Sequence, residues 1–233
     1  MIRHLFPALL LLLGSPLFAE SLNVRFLAWD EQIAERKLSV AGSDIEGLHP
    51  LQRTKDFKVT IEAGFFKVIA VDKGGDEDGP ILLPVKVKEG LKHPLVLLLP
   101  NPKAASGLVA MVIEDDTASF KWGSVRAFNA TPRKLGMSIG ANGKLLPVGW
   151  KPVDYQPVAD KTVAMMIVLP EELKKNQNDR KILFSSIWSG EADTRALAII
   201  VPGTDPRLGP VAVKVISEDR RELAAEKAAM SAR

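Results

Sequence analysis

The chain has 233 residues, of which 46% are hydrophobic and 25% are charged, and its formal net charge at pH 7 is +3. This composition is typical of a globular protein and argues against extensive disorder. The charge is small and mixed in sign, without the clustered lysines and arginines that bind phosphate, so no nucleic-acid partner is expected. Because the chain contains no cysteine, a disulfide framework and the usual zinc sites are excluded.

The N-terminal residues have the pattern of a secretory signal peptide. Arg3 precedes an apolar segment from Leu5 to Leu13, and Ala19 supplies a small residue for cleavage. The apolar segment is shorter than the roughly 20 residues that span a bilayer, and no later segment is apolar for long enough, so we expect no membrane span in the mature chain. The sequence therefore predicts a signal peptide at residues 1–19 and a periplasmic or extracellular protein.

The remainder of the chain reads as two copies of one unit. "LVLLLP" ends at Pro100 and "AIIVP" ends at Pro202, and a loop and a second apolar run follow each of them. "NVRFLA", which begins at Asn23, matches "SVRAFNA", which begins at Ser124, at nearly the same spacing. Because several landmarks share almost one offset over the length of a domain, they indicate an internal duplication.

Within each copy, short apolar runs are separated by clusters of Gly, Pro, Asn and Asp, as is typical of strands and turns. "KVTIEAGFFKVIA" alternates on both sides of Gly64, which predicts a hairpin, and Asn142-Gly143 predicts a second hairpin. About seven such runs occur per copy, the number found in an immunoglobulin-like sandwich. The predicted fold is all-β, with two tandem immunoglobulin-like β-sandwich domains and a short C-terminal helical tail.

The predicted boundaries follow from these patterns. The first sandwich is assigned to residues 20–117 and the second to residues 118–219. The alanine-rich segment 220–233 has high helix propensity, although it is short for an isolated helix.

A resemblance rests on the stretch "SVRAFNATPRKLGMSIGANGKLLPVGWKPV", residues 124–153. It resembles a pattern in small secreted bacterial β-sandwich proteins: an opening strand that ends in Asn, a polar turn, a strand-turn-strand and a Pro/Gly loop. The tandem layout of the whole mature chain is similar to that of uncharacterised exported proteins without an assigned activity. More distantly, the second copy resembles the β-sandwich accessory proteins of exopolysaccharide acetylation. These resemblances carry no diagnostic catalytic motif, so they imply a fold and a compartment only.

One segment matches a catalytic pattern by its letters. "GMSIG", residues 136–140, satisfies the G-x-S-x-G motif of α/β-hydrolases, in which a strand, a sharp turn at the serine and a helix follow one another. Here a predicted hairpin follows Ser138, and no histidine occurs after His93. We therefore interpret Ser138 as a strand serine and predict that the chain is not an enzyme.

Acidic clusters are the remaining candidates for metal ligands. Asp72, Asp76, Glu77 and Asp78 lie in a Gly-rich turn, where oxygen ligands would suit calcium, but their spacing differs from that of an EF-hand loop. The acidic run 114–116 is a candidate calcium site of the same kind. We predict solvated turns, and therefore neither a bound metal nor another cofactor.

The best candidate for a binding site is the loop "PVGWKPVDYQPV", residues 147–158, which holds Trp150 and the only tyrosine, Tyr155. Extended Pro-rich backbone keeps aromatic rings available for contact with an apolar surface or a sugar face. In the competing interpretation, Trp150 caps the open end of its own sandwich. The other tryptophans, Trp29, Trp122 and Trp188, are expected in the core or at junctions.

Two functions are compatible with these observations. The first is a non-catalytic secreted or periplasmic protein with an interaction or structural role. The second is a carbohydrate-binding or polysaccharide-processing accessory protein. The expected partner is accordingly an unidentified protein or polysaccharide.

Overall fold

The computed structural model describes residues 20–74, 79–156 and 161–231. The first unit contains the strands β1 (Glu20–Ala28), β2 (Leu38–Val40), β3 (Ser43–Asp44), β4 (Phe57–Ile61), β5 (Phe65–Ala70), β6 (Leu82–Lys86), β7 (Pro94–Pro100) and β8 (Leu108–Glu114). The second unit contains the strands β9 (Val125–Asn129), β10 (Leu135–Ile139), β11 (Asn142–Leu146), β12 (Val153–Tyr155), β13 (Thr162–Val168), β14 (Ile182–Ser189), β15 (Thr194–Pro202) and β16 (Val211–Asp219).

Helices occupy little of the described chain. The α-helices are α1 (Glu31–Ala34) and α2 (Arg220–Ser231), and 3₁₀ turns occur at Val71–Lys73, Pro170–Lys174 and Gln177–Asp179. Asp219 begins α2, since its Oδ1 accepts hydrogen bonds from the backbone of Arg221 at 2.7 Å and Glu222 at 3.3 Å. None of the helices described is both long and apolar enough to cross a membrane.

The two units share one topology. In the first, one sheet has the order β4-β1-β7-β8 and the other has the order β3-β2-β5-β6. In the second, the orders are β12-β9-β15-β16 and β11-β10-β13-β14, which are the same orders moved along by eight strands. In both units the first strand runs parallel to the seventh and antiparallel to the fourth. This agreement extends the repeat that is visible in the sequence.

The prediction of an all-β chain with two β-sandwiches and a C-terminal helix is confirmed. Each unit has eight strands, however, where about seven were predicted. The strand order also differs from the ABED and CFG sheets of a constant-type immunoglobulin domain. The tandem apolar runs that show the repeat form the hairpins β7–β8 and β15–β16.

Two predicted hairpins require correction. The strands on either side of Gly64 do not pair along their length, because β4 joins the sheet of β1 whereas β5 joins the sheet of β2. The turn at Gly64 therefore carries the chain from one sheet to the other. The second hairpin, β10–β11, exists, but its connecting residues are Gly140 and Ala141, and Asn142 already pairs with Ile139. Gly140 has a φ of +59°, which favours glycine.

The two sandwiches pack against each other through the sheets that contain β1 and β9. Val24 and Phe26 point into the core of the first sandwich, whereas Leu27 packs into a separate cluster with Leu197 and Ile199 of the second sandwich. The sheets therefore form a stack of four layers with a shared apolar core in the middle. Because both faces of the central sheets are covered, all five residues from Val24 to Ala28 are buried.

Candidate functional site

The predicted binding loop lies at the junction between the sandwiches. Trp150 is partly buried in the shared core, where its ring meets Trp29 edge-on at a centroid distance of 5.8 Å and lies 6.4 Å from the ring of Phe128. Trp150 has a φ of +60°, a left-handed conformation that is strained for a bulky residue. Packing holds this backbone in place, so Trp150 joins the two sandwiches and is not free on the surface.

Tyr155 is not available for binding, and this part of the prediction is wrong. Its side chain is in the core of the second sandwich, and the residue is only 1% exposed. The hydroxyl donates a hydrogen bond of 3.0 Å to the carbonyl oxygen of Met137, and burial raises the pKa of the phenol. Tyr155 ends the short strand β12, which pairs with β9 despite the neighbouring prolines. Pro157 and Val158, at the end of the predicted loop, lie outside the described residues.

The other tryptophans have structural positions. Trp29 packs at the junction, Trp188 packs partly against the second core, and the Trp122 ring lies 4.9 Å from the guanidinium carbon of Arg195.

Ser138 lies in β10 and is 1% exposed. Its hydroxyl is 3.5 Å from Nη1 of Arg180, the single hydrogen-bond partner of that side chain among the residues described. Leu173, in the segment that crosses the outside of this sheet, covers the neighbouring Gly136 so closely that a Cβ there would lie 2.5 Å from its Cγ. The serine is thus sealed beneath a loop.

We expect a fluorophosphonate probe to leave Ser138 unmodified. A nucleophilic serine needs an adjacent base, and the described histidines, His49 and His93, belong to the first sandwich. The free energy of unfolding of the matched variant Ser138→Ala should differ from that of the parent protein by about 1 kcal/mol or less, since only one long hydrogen bond is lost. Covalent labelling that disappears in Ser138→Ala would contradict this assignment.

One acidic residue of the predicted turn has a structural partner. Asp72 is paired with Arg36, whose hydrogen bonds hold the pKa of this carboxyl below its usual value. The other acidic residues of that turn, Asp76, Glu77 and Asp78, lie outside the described residues. Within the described ranges, no group of three or more His, Cys, Asp or Glu side chains is arranged to hold a metal ion.

The run 114–116 contributes to an ion network that the sequence pattern does not predict. Asp115 is buried between the sandwiches, where its carboxylate lies 2.5 Å from Arg25 and 2.9 Å from Arg53. Glu218, which belongs to the second sandwich, forms an ion pair with Arg25 of the first. Its carboxylate also lies 2.5 Å from Arg195. Three guanidinium groups thus surround two carboxylates. Nη1 of Arg53 is buried and has no acceptor among the described residues.

The network also involves the linker between the sandwiches. Arg195 donates to the carbonyl oxygens of Asp115 at 2.9 Å and Phe120 at 3.0 Å. The Phe120 ring lies between the guanidinium carbons of Arg126, at 4.8 Å, and Arg195, at 5.1 Å. Arg126 in turn pairs with Asp154 at 2.7 Å. These charges have partners within the chain, so the network acts as a structural junction.

Burial by itself would raise the pKa values of Asp115 and Glu218. The attraction of Arg53, Arg25 and Arg195 more than offsets burial, so both pKa values are lower than usual. Both groups are therefore held as carboxylates at neutral pH.

Apolar side chains on the side of the second sandwich, between β14 and β16, are incompletely buried. Phe184, Ser186 and Trp188 of β14 face the interior, but the two aromatic residues are only partly buried and Ser186 is exposed. Val213 and Val215 of β16 are also partly exposed across from them. We call these five residues the open seam.

In the first sandwich, the equivalent edge strand is buried more deeply. There the corresponding residues of β6 and its continuation are Leu83, Val85 and Val87, which are 5%, 0% and 8% exposed. β6 packs along β8, whereas β14 touches β16 only slightly. The two copies thus differ in how deeply the inward side chains of β6 and β14 are buried, whereas Ala110 and Val112 of β8 are partly exposed, like Val213 and Val215.

Beside the open seam, β14 has a free backbone edge. The Gly190 amide donates to the Lys161 carbonyl oxygen at 3.1 Å. Because antiparallel bonding alternates along a strand, the backbone groups of Ser185, Ile187 and Ser189 then point away from β13. No other strand of the described chain pairs with this side of β14. Ile187 is 73% exposed.

Neither a scan against protein-family models nor a search of curated proteins finds a match to this chain.

Proposed function

We propose that the chain is an exported, non-catalytic interaction protein whose open seam accepts an extended polypeptide strand. The observation that carries this proposal is the difference between the two copies. The first sandwich fills its lateral edge with Leu83, Val85 and Val87, whereas the second leaves Phe184 and Trp188 partly exposed. An added strand would supply the missing apolar side chains and pair with the free edge of β14.

The rigid junction supports the same role. A shared apolar core and a buried ion network hold the sandwiches in one arrangement. Since little backbone order has to be gained on binding, a preformed strand-accepting edge favours association. The predicted leader, residues 1–19, lies outside the described residues, and export to the periplasm or exterior is part of the proposal.

The experiment uses amide hydrogen exchange in the purified protein with a synthetic peptide of alternating valine and threonine. We expect slower exchange at Ser185, Ile187 and Ser189, because a docked strand accepts and donates hydrogen bonds at this edge. The same peptide with proline at alternate positions is the control, since proline cannot donate to the ladder. The measurement is made at a protein concentration low enough for the chain to be monomeric, and equal exchange with both peptides under that condition would contradict strand binding.

The carbohydrate-binding alternative has a different outcome. Affinity electrophoresis in gels that contain soluble polysaccharides would slow the migration of a carbohydrate-binding protein. Such retardation, without any effect of the peptide on β14, would favour the accessory role over the proposed one. Export is checked separately by the N-terminal sequence of the protein recovered outside the cytoplasm, which should begin at Glu20.

A further inference from the structure

The proposed role leaves open which strand docks on β14. Resting on that role, we propose that it is β14 of a second copy of this chain. The two strands pair antiparallel about a twofold axis at Ile187, which joins two four-stranded sheets into one continuous sheet. Twofold pairing of identical surfaces is the commonest way in which a protein forms a dimer.

The distribution of charge along the chain favours this partner. β14 itself, "ILFSSIWS", contains no charged residue, so self-pairing opposes no like charges. Lys181 precedes the strand and Glu191 follows it. The neighbouring charges have partners within the chain, since Arg180 donates to Ser138 and Asp193 is paired with Arg221. Antiparallel pairing of two copies therefore sets the basic end of each strand beside the acidic end of the other. A parallel arrangement would bring like charges together.

Side-chain size is also complementary in this register. Ile187, which is 73% exposed, lies opposite Ile187 of the second copy on the outer face. On the seam face, Trp188 lies opposite the small Ser186 of the second copy. The outward backbone groups of Ser185, Ile187 and Ser189 then exchange hydrogen bonds across the axis. The two most exposed apolar side chains of the strand pair are thereby covered.

Several other edge strands carry features that hinder such pairing, although the edge strand β8, LVAMVIE, contains neither proline nor lysine. β6 contains Pro84 and Lys86, β11 contains Lys144, and β4 contains Lys58. Proline and lysine are the usual protection of edge strands against association. β14 has eight residues and neither kind of protection. The first residues of β14 contact the β15–β16 loop. A Cβ on Gly209 of that loop would lie 2.9 Å from the Leu183 carbonyl oxygen.

Cysteine cross-linking tests the register directly, because the chain has no cysteine of its own. In the variant Ile187→Cys, two introduced thiols face each other across the axis at a Cα separation of about 5.5 Å, which suits a disulfide. We expect a disulfide-linked dimer under mild oxidation. The control is Leu145→Cys, on the opposite edge of the same sheet and 58% exposed in the parent. Equal cross-linking of both variants, or no cross-linking of Ile187→Cys, overturns the proposal.

Charge exchange gives a second measurement that does not depend on oxidation. Sedimentation of the parent protein should show a concentration-dependent dimer. Lys181→Glu should raise the dissociation constant about tenfold, since it places like charges across the axis. Adding Glu191→Lys to that variant should restore the affinity. Equal dissociation constants for all three proteins, or a parent that stays monomeric, would overturn the proposal.

The two proposals fail in different ways. If the valine-threonine peptide protects Ser185, Ile187 and Ser189 while no dimer or cross-link forms, the second copy is the wrong partner and the strand-accepting role remains. If neither the peptide nor a second copy protects these amides, both proposals are wrong.

Discussion

Replacement of Asp115 by asparagine should lower the free energy of unfolding by about 3 to 5 kcal/mol, the loss expected when one partner of a buried ion pair is removed. The Asp115 carboxylate is completely buried and contacts Arg25 and Arg53. Its removal leaves Glu218 as the single carboxylate among three guanidinium groups. Urea unfolding at pH 7 measures the change.

The matched control is Asp154→Asn. The Asp154 side chain is 46% exposed, and its partner Arg126 keeps hydrogen bonds to the carbonyl oxygens of Glu114 and Ser119. This variant should lose about 1 kcal/mol or less. A loss at Asp115 no larger than that at Asp154 would show that the buried network does not stabilise the junction.

The parent protein and Asp115→Asn should have similar free energies of unfolding in acid. Asp115 and Glu218 have pKa values below their usual 3.8 and 4.5, so their contribution to stability is complete above those values and is lost as pH falls through the lowered ones. Once Asp115 is protonated in the parent protein, it resembles asparagine. The difference between the parent and Asp115→Asn should therefore shrink below about pH 4.

Trp150→Ala should cost about 3 kcal/mol of stability, near the lower limit for aromatic-to-alanine changes in cores, because the side chain is only partly buried. Trp150→Gly should be more stable than Trp150→Ala by about 1 kcal/mol, since glycine adopts a φ of +60° without strain. This order is the reverse of the usual preference for alanine. Thermal and urea unfolding of both variants measure it.

Val148→Ala serves as the control in the same loop, since Val148 is 38% exposed. It should change stability by about 0.5 kcal/mol or less. If Trp150→Ala were equally mild, Trp150 would not join the two sandwiches, and its role as a surface anchor would again be open.

The sequence was sufficient to predict the repeat and the β-sandwich class. Apolar periodicity and Gly/Pro turns are local signals, and the duplicated landmarks around Pro100 and Pro202 are strong because they occur twice. Local signals do not specify which strands share a sheet, which is why the turn at Gly64 was interpreted as a hairpin. Sheet partners depend on packing over the whole unit.

The junction was harder to predict, because Arg25, Arg53, Asp115, Arg195 and Glu218 are distant in the chain. One signal was available. "PLVLLLP" in β7 and "ALAIIVP" in β15 are continuously apolar instead of alternating, which indicates strands covered on both faces. Applied to both copies, that rule would have predicted sheets buried against each other.

The open seam was not predictable from strand patterns. Ser186 stands where the first sandwich has Val85, and Trp188 stands where it has Val87. Ser186 and Ile187 interrupt the regular alternation that β6 keeps, but one interruption does not by itself indicate an incompletely buried edge. Their effect on the closure of the sandwich depends on the distance between β14 and β16, which only the three-dimensional structure supplies.

The ion network also fixes an order of completion for a chain that is synthesised from its N-terminus. Arg25, Arg53 and Asp115 all emerge early, whereas Glu218 is near the end of β16. Until β15 and β16 arrive, Leu27 of the first sandwich lacks its contacts with Leu197 and Ile199, and the arginines lack their second carboxylate. β16 therefore completes the contacts that hold the two sandwiches together, even though it belongs only to the second.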